Sequence, residues 1–277
     1  MAQKIAISIP KGGVGKTTTA VNLAAGLAIA EKKTLLIDFD PAGACALSLG
    51  FNEANMHGDI FQVFSFAKYI DAVVHQTVLP SLDFIPCQIN TYDLEERINR
   101  LSRNIYLFSN ILDQQALTEY DYIIIDCPPY MKGLTTVALA AADSVLIPLR
   151  SGQFSIAALK KMFTQIEWVK TTINSELKIE GILLNMYESR TKAWTLTNNI
   201  LNKYFSEYLF KTVIPKSIAI SEAEFYGKPS MLYDLQSKGA IAYLKLTSEI
   251  LNKNSNPNIY RLSDANYIQQ ENNNTGG

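Results

Sequence analysis

The sequence predicts a doubly wound α/β fold, with a mostly parallel sheet flanked by helices. Short apolar runs that end in turn residues recur along the chain, as expected for strands buried on both faces of a parallel sheet. Helical patterns lie between these runs, and alternating strands and helices are typical of this class. Ligands of such folds bind at the carboxyl ends of the strands, so functional residues are expected there.

Six strands are predicted from continuous hydrophobicity, at residues 5–9, 34–37, 82–85, 122–125, 144–147 and 179–184. The stretch 16–30 is rich in alanine and leucine and is predicted to form the first helix. Amphipathic patterns predict further helices at 154–169 and 195–205, and a last one at 240–251.

The length of 277 residues fits one large domain or two small ones. No internal repeat or Gly/Ser linker divides the body, so one domain over residues 1–255 is the simplest organisation. The remaining 256–277 are rich in asparagine and end in Asn-Asn-Asn-Thr-Gly-Gly. This composition predicts a disordered tail.

A content of 48% hydrophobic and 18% charged residues is that of an ordinary soluble protein. The N-terminus leads directly into a strand-like run without a signal-peptide pattern, and no apolar stretch is long enough to span a bilayer. The three cysteines, Cys45, Cys87 and Cys127, are widely spaced. They favour reduced thiols over a disulfide framework, so a cytoplasmic location is expected.

Charge is distributed unevenly along the chain. Residues 1–149 carry 10 Lys and Arg against 15 Asp and Glu, and the rest carries 15 against 11, so the two parts have formal charges of −5 and +4. An uneven but solvated surface explains this difference, and so does a basic face for a polyanion.

A glycine-rich loop lies between the first predicted strand and the first predicted helix. It comprises Lys11, Gly12, Gly13, Val14, Gly15, Lys16, Thr17 and Thr18. Glycines allow backbone N–H groups to turn toward phosphate oxygens, and the helix N-terminus adds a favourable dipole. Lys16 supplies a charge to the β and γ phosphates, and the Thr17 hydroxyl ligates magnesium. The loop predicts binding of ATP with Mg²⁺, although Pro10 stands where the strict P-loop expression has glycine.

The loop resembles that of the deviant Walker A ATPases, the family of the partition protein ParA and the division-site protein MinD. The resemblance implies a P-loop NTPase fold and ATP hydrolysis that is slow without a partner. It also implies that Lys11 crosses the interface of an ATP-dependent homodimer and contacts the partner's nucleotide. By spacing alone, Lys11 is a second cation near phosphate or a solvated lysine.

Three aspartates follow predicted strands. Asp38 and Asp40 stand at the end of the strand 34–37, where carboxylates hold the water shell of magnesium, orient an attacking water or cap the turn at Pro41. Asp126 follows the buried run 122–125 in a Walker B pattern, which places a carboxylate beside the metal. The resemblance implies that Asp40 positions the attacking water, with Lys11 and Lys16 as the other catalytic residues, and that Asp38 lies near the metal.

The resemblance extends over most of residues 1–250 and favours the ParA branch. It includes the stretches 186–191, 210–215, 220–223 and 227–229. Asn185, Met186 and Pro215 resemble the adenine-side wall of the family's nucleotide site. Apolar strand ends would give the same pattern.

Departures from the family pattern occur at two places. ParA proteins usually have Asp-Pro-Gln-Gly-Asn where this chain has Ala42 and Ala44, which puts a nucleotide-linked switch contact in question. The arginine before Ser-Glu-Ala is replaced by Ala219 and Ile220, and the proline after it by Glu224. These changes concern how strongly DNA is held.

The ParA branch implies non-specific DNA binding, association with the nucleoid, and a ParB-like or equivalent partner that stimulates hydrolysis. The cargo, whether DNA or another large body, leaves no mark in the sequence. Each candidate DNA contact is also explained as a solvated surface charge. The candidates are Arg190, Lys192, Lys216, Lys228 and Lys238.

Two alternatives have sequence features that can be checked. A MinD-like membrane switch needs a basic amphipathic helix at the C-terminus, whereas residues 255–277 contain one arginine and no lysine, so no membrane contact is expected. An iron–sulfur reductase with this loop needs two cysteine ligands per chain. Cys87 and Cys127 are the conceivable pair, but buried structural thiols explain both of them.

Overall fold

A computed structural model describes residues 2–88, 92–188 and 191–255, without the side chains of residues 92, 93, 95 and 99. The predicted tail at 256–277 and Arg190 lie outside these residues. The strands are β1 Gln3–Ile7, β2 Thr34–Asp38, β3 His75–Gln76, β4 Leu82–Ile85, β5 Tyr122–Asp126, β6 Ser144–Leu149, β7 Lys178–Tyr187 and β8 Leu209–Pro215. The helices are α1 Lys16–Ile29, α2 Ala44–Ser48, α3 Ile60–Phe64, α4 Tyr92–Leu101, α5 Leu107–Leu112, α6 Leu134–Ala141, α7 Gln153–Thr172, α8 Lys192–Tyr204, α9 Ile218–Phe225, α10 Ser230–Tyr233 and α11 Lys238–Ser255.

The strands form one sheet in the order β3-β4-β2-β5-β1-β6-β7-β8. All pairs are parallel except β3 with β4. The chain order reverses at β1, which lies between β5 and β6, and ligands of open α/β sheets bind at such a switch point. The doubly wound α/β prediction is therefore confirmed.

The core has two layers, one on each face of the sheet. Alternate residues of a strand belong to different layers: in β5, Ile123 and Ile125 pack with α6 and α7, whereas Ile124 packs with α1 and α11. Both faces of the central strands are buried. This double burial explains why these strands have continuous rather than alternating hydrophobicity.

All six predicted strands are present, with small differences in extent. β7 is longer than predicted, at Lys178–Tyr187 instead of 179–184, and β1 is shifted, since it is predicted at 5–9 and observed at Gln3–Ile7. Gln3 and Lys4 pair with Tyr122 and Ile123 through the backbone, so their polar side chains do not prevent strand formation. Ser8 and Ile9 leave the strand and lead into the glycine-rich loop.

Two edge strands were not predicted. β3 has only two residues, which is too short for a periodic signal. β8 alternates between buried and more exposed positions and includes Lys211 and Thr212. Because β8 lies at the edge of the sheet, its sequence lacks the continuous apolar run of the central strands.

Candidate active site

The glycine-rich loop connects β1 to α1 at the carboxyl edge of the sheet. Gly13 and Gly15 have φ values of 68° and 82°, in the left-handed region that glycine adopts at least cost. Gly15 caps the N-terminus of α1 without a side-chain hydrogen bond. The N–H groups of the first helical turn therefore have no capping side chain and are available to an anion.

Lys16 is the first residue of α1 and is almost completely removed from solvent, since its exposed fraction is 7%. Its Nζ atom donates a hydrogen bond to the Lys11 carbonyl oxygen at 3.3 Å. The Lys16 side chain is thus folded back along the glycine-rich loop, toward the Lys11 carbonyl oxygen at the start of the loop. An ammonium group held here is placed to neutralise phosphate charge.

Asn185, near the end of β7, supports the loop. Its side-chain amide donates to the Val14 carbonyl at 3.0 Å, and its side-chain oxygen accepts from the Met186 N–H at 2.8 Å. A Cβ atom on Gly15 would lie 2.5 Å from Asn185 Nδ2. The close approach of β7 to the loop therefore requires glycine at position 15.

Replacing Gly15 with alanine is expected to destabilise the nucleotide-free protein by roughly 2 kcal/mol, because the left-handed conformation costs an L-residue about 1–2 kcal/mol and the contact with Asn185 adds to this. Gly12→Ala is the matched control, since a Cβ there meets nothing within 4 Å. Thermal unfolding of both variants without nucleotide measures the difference. Equal stability of the two variants would contradict this account of Gly15.

Asp38 and Asp126 lie side by side, because they are paired residues at the ends of adjacent strands β2 and β5. Both are completely buried. Asp126 Oδ2 accepts a hydrogen bond from the Thr17 hydroxyl at 2.6 Å. Asp38 accepts backbone N–H groups from Asp40 at 3.1 Å and from Cys45 at 3.0 Å. The predicted metal-binding residues Thr17, Asp38 and Asp126 are thus brought together.

The pKa of Asp126 is raised to about 7, chiefly by burial; the Thr17 hydrogen bond and the charge of Lys16 lower it, and the charge of Asp40 raises it. Burial also raises the pKa of Asp38, followed by the charge of Asp126. Two buried carboxylates facing each other favour a cation between them, because a cation offsets both desolvation and mutual repulsion. The donor set of oxygens suits Mg²⁺.

Asp40 is partly exposed, unlike Asp38 and Asp126. Its Oδ1 atom accepts the Ala42 N–H at 3.0 Å, which holds the turn after β2. Its backbone N–H donates to Asp38 Oδ1 at 3.1 Å, so Asp40 lies beside the metal-binding pair, and its charge raises the pKa of Asp126. Asp40 is both a turn residue and a carboxylate near the metal-binding pair.

Met186 and Pro215 lie at the ends of neighbouring strands, where Tyr187 of β7 pairs with Pro215 of β8. Met186 has a φ of 53° and is 37% exposed, a backbone conformation that non-glycine residues rarely adopt. Met186 borders the loop beside Asn185, since a Cβ atom on Gly15 would lie 3.5 Å from Met186 Cε. The contact of Met186 and Pro215 with adenine stays a prediction.

Three contacts of this site were not predicted from the sequence. The Thr18 hydroxyl donates to the Glu224 carboxylate of α9. The Cys45 thiol donates to Asp126 Oδ2 at 3.4 Å, and Lys11 Nζ lies 5.7 Å from the centre of the Phe154 ring. Glu224 replaces the family's proline, so this departure was the available signal for its contact. No spacing indicated the other two.

The candidate DNA contacts within the described residues are all exposed. Lys192 and Lys238 are the first residues of α8 and α11, Lys228 follows α9, and Lys216 follows β8. Lys216 pairs with Glu188 at 3.1 Å. Lysine at a helix N-terminus is electrostatically unfavourable by about 0.3–1 kcal/mol, so Lys192 and Lys238 are not placed there to stabilise their helices.

The glycine-rich loop lies between the strand at the switch point, β1, and the helix α1. Two aspartates, Asp38 and Asp126, end the adjacent strands β2 and β5. Together these features define a P-loop nucleoside triphosphatase. A family model described as an AAA domain matches residues 2–179. The chromosome partitioning protein ParA of Myxococcus xanthus (strain DK1622) is 41% identical over 252 residues, 91% of this chain and 88% of that protein. The chain belongs to the ParA/Soj family of chromosome-partitioning ATPases.

A second relative agrees with this family, and a solved structure agrees with the fold and with the binding of ATP and Mg²⁺. The sporulation initiation inhibitor protein Soj of Bacillus subtilis (strain 168) is 38% identical over 251 residues, covering 90% of this chain and 98% of that protein. A structure of cobyrinic acid a,c-diamide synthase from Mycobacterium smegmatis, with a bound ATP analogue and magnesium, has a TM-score of 0.76 and 25% identity. It covers 91% of this chain and 96% of the other.

Proposed function

We propose that this chain is a ParA-type ATPase that forms an ATP-dependent sandwich dimer, binds DNA without sequence preference and cycles by partner-stimulated hydrolysis. Its task is to segregate or position DNA or another large cargo. The observation that carries the proposal is the joining of Lys16, Thr17, Asp38 and Asp126 around one concave loop.

In this proposal the loop residues 11–18 hold the phosphates of ATP. The N–H groups at Gly13, Val14 and Gly15 contact phosphate oxygens, and Lys16 contacts the β and γ phosphates. Mg²⁺ is held by the Thr17 hydroxyl and by water molecules that Asp38 and Asp126 orient. Asn185, Met186 and Pro215 line the adenine side.

Asp40 is assigned to the attacking water, because it is the carboxylate near the metal pair that is not fully buried. Among the described residues, the neighbouring carboxylates Asp38 and Asp126 are assigned to the metal, so Asp40 acts alone on the water and slow hydrolysis is expected. A partner in the role of ParB then completes the site and accelerates turnover. The names of the ParA and Soj relatives support this interpretation.

Lys11 is assigned to the partner's nucleotide. Its ammonium group lies over Phe154, which is 82% exposed, so the side chain is directed across the surface of its own chain. From the surface it can approach a second copy whose loop faces the first. A symmetric dimer would then carry two such contacts.

DNA binding is assigned to the candidate cations Arg190, Lys192, Lys216, Lys228 and Lys238 of the C-terminal part, in keeping with its formal charge of +4. Lys192 and Lys238 combine a side-chain charge with a helix N-terminus, and both attract phosphate. Dimerisation doubles this basic surface, so ATP controls attachment to nucleoid DNA. Contacts with phosphate alone give no sequence preference.

The MinD-like alternative depends on a basic amphipathic helix at the C-terminus, and residues 256–277 lie outside the described part of the chain. Within residues 2–88, 92–188 and 191–255, no helix combines the length and apolar character needed to cross a bilayer. The iron–sulfur alternative depends on accessible cysteines, and Cys45, Cys87 and Cys127 are all buried. No observation on the described residues favours either alternative.

Fluorescence anisotropy of a random DNA duplex across a salt series tests the proposal. With a non-hydrolysable ATP analogue we expect tight, salt-dependent binding that is weak with ADP. In a Lys192→Ala/Lys238→Ala variant, the logarithmic salt slope should fall by about one unit for each phosphate that is no longer neutralised. Lys160→Ala/Lys161→Ala is the control, because it removes the same charge from the exposed side of α7.

Equal binding with ADP and the ATP analogue, or none at low salt, would refute ATP-gated attachment to DNA. If the salt slope changes equally in the Lys192→Ala/Lys238→Ala variant and in the Lys160→Ala/Lys161→Ala control, the DNA-binding surface does not depend specifically on Lys192 and Lys238. A measurement on a second, unrelated duplex checks the absence of sequence preference.

A further inference from the structure

The carboxylate of Glu224, on α9, reaches the glycine-rich loop. It accepts a hydrogen bond from the hydroxyl group of Thr18, the third residue of α1. Both residues are partly buried. Among the described residues, no lysine, arginine or histidine forms an ion pair with Glu224. A carboxylate without a paired cation therefore lies against the loop to which we assign the phosphates of ATP.

Several contacts hold α9 and α10 against the rest of the protein. The helix α9 packs against α2, α10 and α11. The turn that follows α9 lies against the turn that follows α2, because a Cβ atom on Gly227 would lie 2.7 Å from the Gly50 Cα atom. In α10, Ser230 donates its N–H and its hydroxyl to Asn22 Oδ1 at 2.8 Å and 2.6 Å. The Glu224 side chain can therefore rotate, but its charge stays near the loop.

Phosphate and Glu224 compete for the same group of Thr18. The N–H groups of the first helical turn have no intrahelical partners, and a phosphate bound at a helix N-terminus accepts them. The Thr18 hydroxyl lies in this turn and has a single proton to donate. Hydrogen bonds of about 2.7–3.0 Å to neighbouring atoms of Thr18 place a phosphate oxygen and a carboxylate oxygen within roughly 6 Å of each other, where like charges repel.

We propose that Glu224 sets the nucleotide affinity of this protein by competing with the phosphates of ATP and ADP for Thr18. This role rests on the proposed function, in which residues 11–18 hold the phosphates. Glu224 is thus a positioning residue, which acts through Thr18 and through its charge. The proline usual at this position in ParA proteins carries no charge, so the competition is a property of this chain and not of the family pattern.

Isothermal titration with ADP and with a non-hydrolysable ATP analogue, in excess Mg²⁺, tests this role in the whole chain. We expect Glu224→Gln to bind both nucleotides about tenfold more tightly, which is about 1.4 kcal/mol, because the amide keeps the shape of the side chain and removes the repulsion. Glu222→Gln is the matched control. It removes an exposed carboxylate of the same helix, which contacts the Tyr233 hydroxyl at 3.2 Å, and should leave both affinities unchanged.

Two further measurements show how Glu224 acts. Adenosine has no phosphate, so in competition with the ATP analogue its affinity should be the same for Glu224→Gln and for the unaltered protein. In a Thr18→Val background the hydroxyl is absent and charge repulsion alone remains, so Glu224→Gln should improve nucleotide binding by only about threefold. An equal gain for adenosine, or an undiminished gain in the Thr18→Val background, would contradict competition for Thr18.

Equal affinities of Glu224→Gln and Glu222→Gln for both nucleotides would overturn the proposal. If Glu224→Gln does not fold by circular dichroism, Glu224→Ala carries the same test, because it also removes the charge. Lys16→Ala separates this result from the proposed function. A loss of affinity in Lys16→Ala without a gain in Glu224→Gln supports the phosphate site and removes Glu224 from it. An unchanged affinity in Lys16→Ala would overturn the phosphate site and the role of Glu224 together.

Discussion

Lys16→Ala is expected to weaken the binding of Mg-ATP by roughly a hundredfold, which corresponds to about 3 kcal/mol for a charge-assisted contact in a buried site. Two effects combine. The variant removes the ammonium group that we assign to the β and γ phosphates. It also removes a charge that lowers the pKa of Asp126, so the carboxylate beside the metal holds its proton more readily and Mg²⁺ is bound less well.

Isothermal titration with a non-hydrolysable ATP analogue in excess Mg²⁺ measures this affinity. Lys160→Ala is the control, because it removes a lysine from the exposed surface of α7 and should bind as tightly as the unaltered protein. An affinity of the Lys16 variant within about threefold of the control would remove Lys16 from the phosphate site. Titration at a second, higher pH separates the two effects, since only the Asp126 contribution depends on proton binding.

The sequence predicts the centre of the fold better than its edges, for a physical reason. β2, β5 and β6 are buried on both faces. Nearly every position in them is therefore apolar, and the continuous hydrophobic run can be recognised from the sequence alone. β8 has one neighbour in the sheet and mixed burial, so polar residues interrupt its run. Periodicity therefore detects the strands that carry Asp38 and Asp126.

The loop and its aspartates could also be predicted, because their spacing reflects a local rule. A strand, a glycine-rich turn and a helix N-terminus follow one another in the chain, and each aspartate follows its own strand directly. Parallel pairing then brings Asp38 beside Asp126. The two aspartates end adjacent parallel strands in the same register, so their contact can be predicted once β2 and β5 are known to be neighbours.

Contacts made by turns and distant helices could not be predicted in this way. Cys45 reaches Asp126 only because Gly43 reverses the chain in a left-handed conformation. Glu224 reaches Thr18 across 206 positions of sequence, from α9, which packs against α2, α10 and α11. No periodic pattern reports such contacts, since they depend on how whole elements are placed.

Lys11→Ala is expected to weaken the ATP-dependent dimer by roughly a thousandfold. If each Lys11 contributes about 2 kcal/mol to the partner's nucleotide, the variant removes this contribution from both halves of a two-fold symmetric dimer, about 4 kcal/mol in all. Nucleotide binding by the monomer should change far less, because Lys16 supplies the charge on the chain's own loop. Light scattering coupled to size exclusion measures the dimer, in an Asp40→Ala background in which ATP is expected to persist.

Phe154→Leu is the control that separates the charge of Lys11 from its contact with the aromatic ring. An exposed cation–π contact is worth about 0.5–1 kcal/mol, so its loss from both halves removes about 1–2 kcal/mol and should change dimer formation by less than about thirtyfold in either direction. It keeps the lysine and the apolar character of the position at the start of α7. Dimers of equal stability with and without Lys11 would show that this lysine does not cross the interface. Loss of dimer in both variants would place Phe154 itself in the interface, because the lysine charge is intact in one of them.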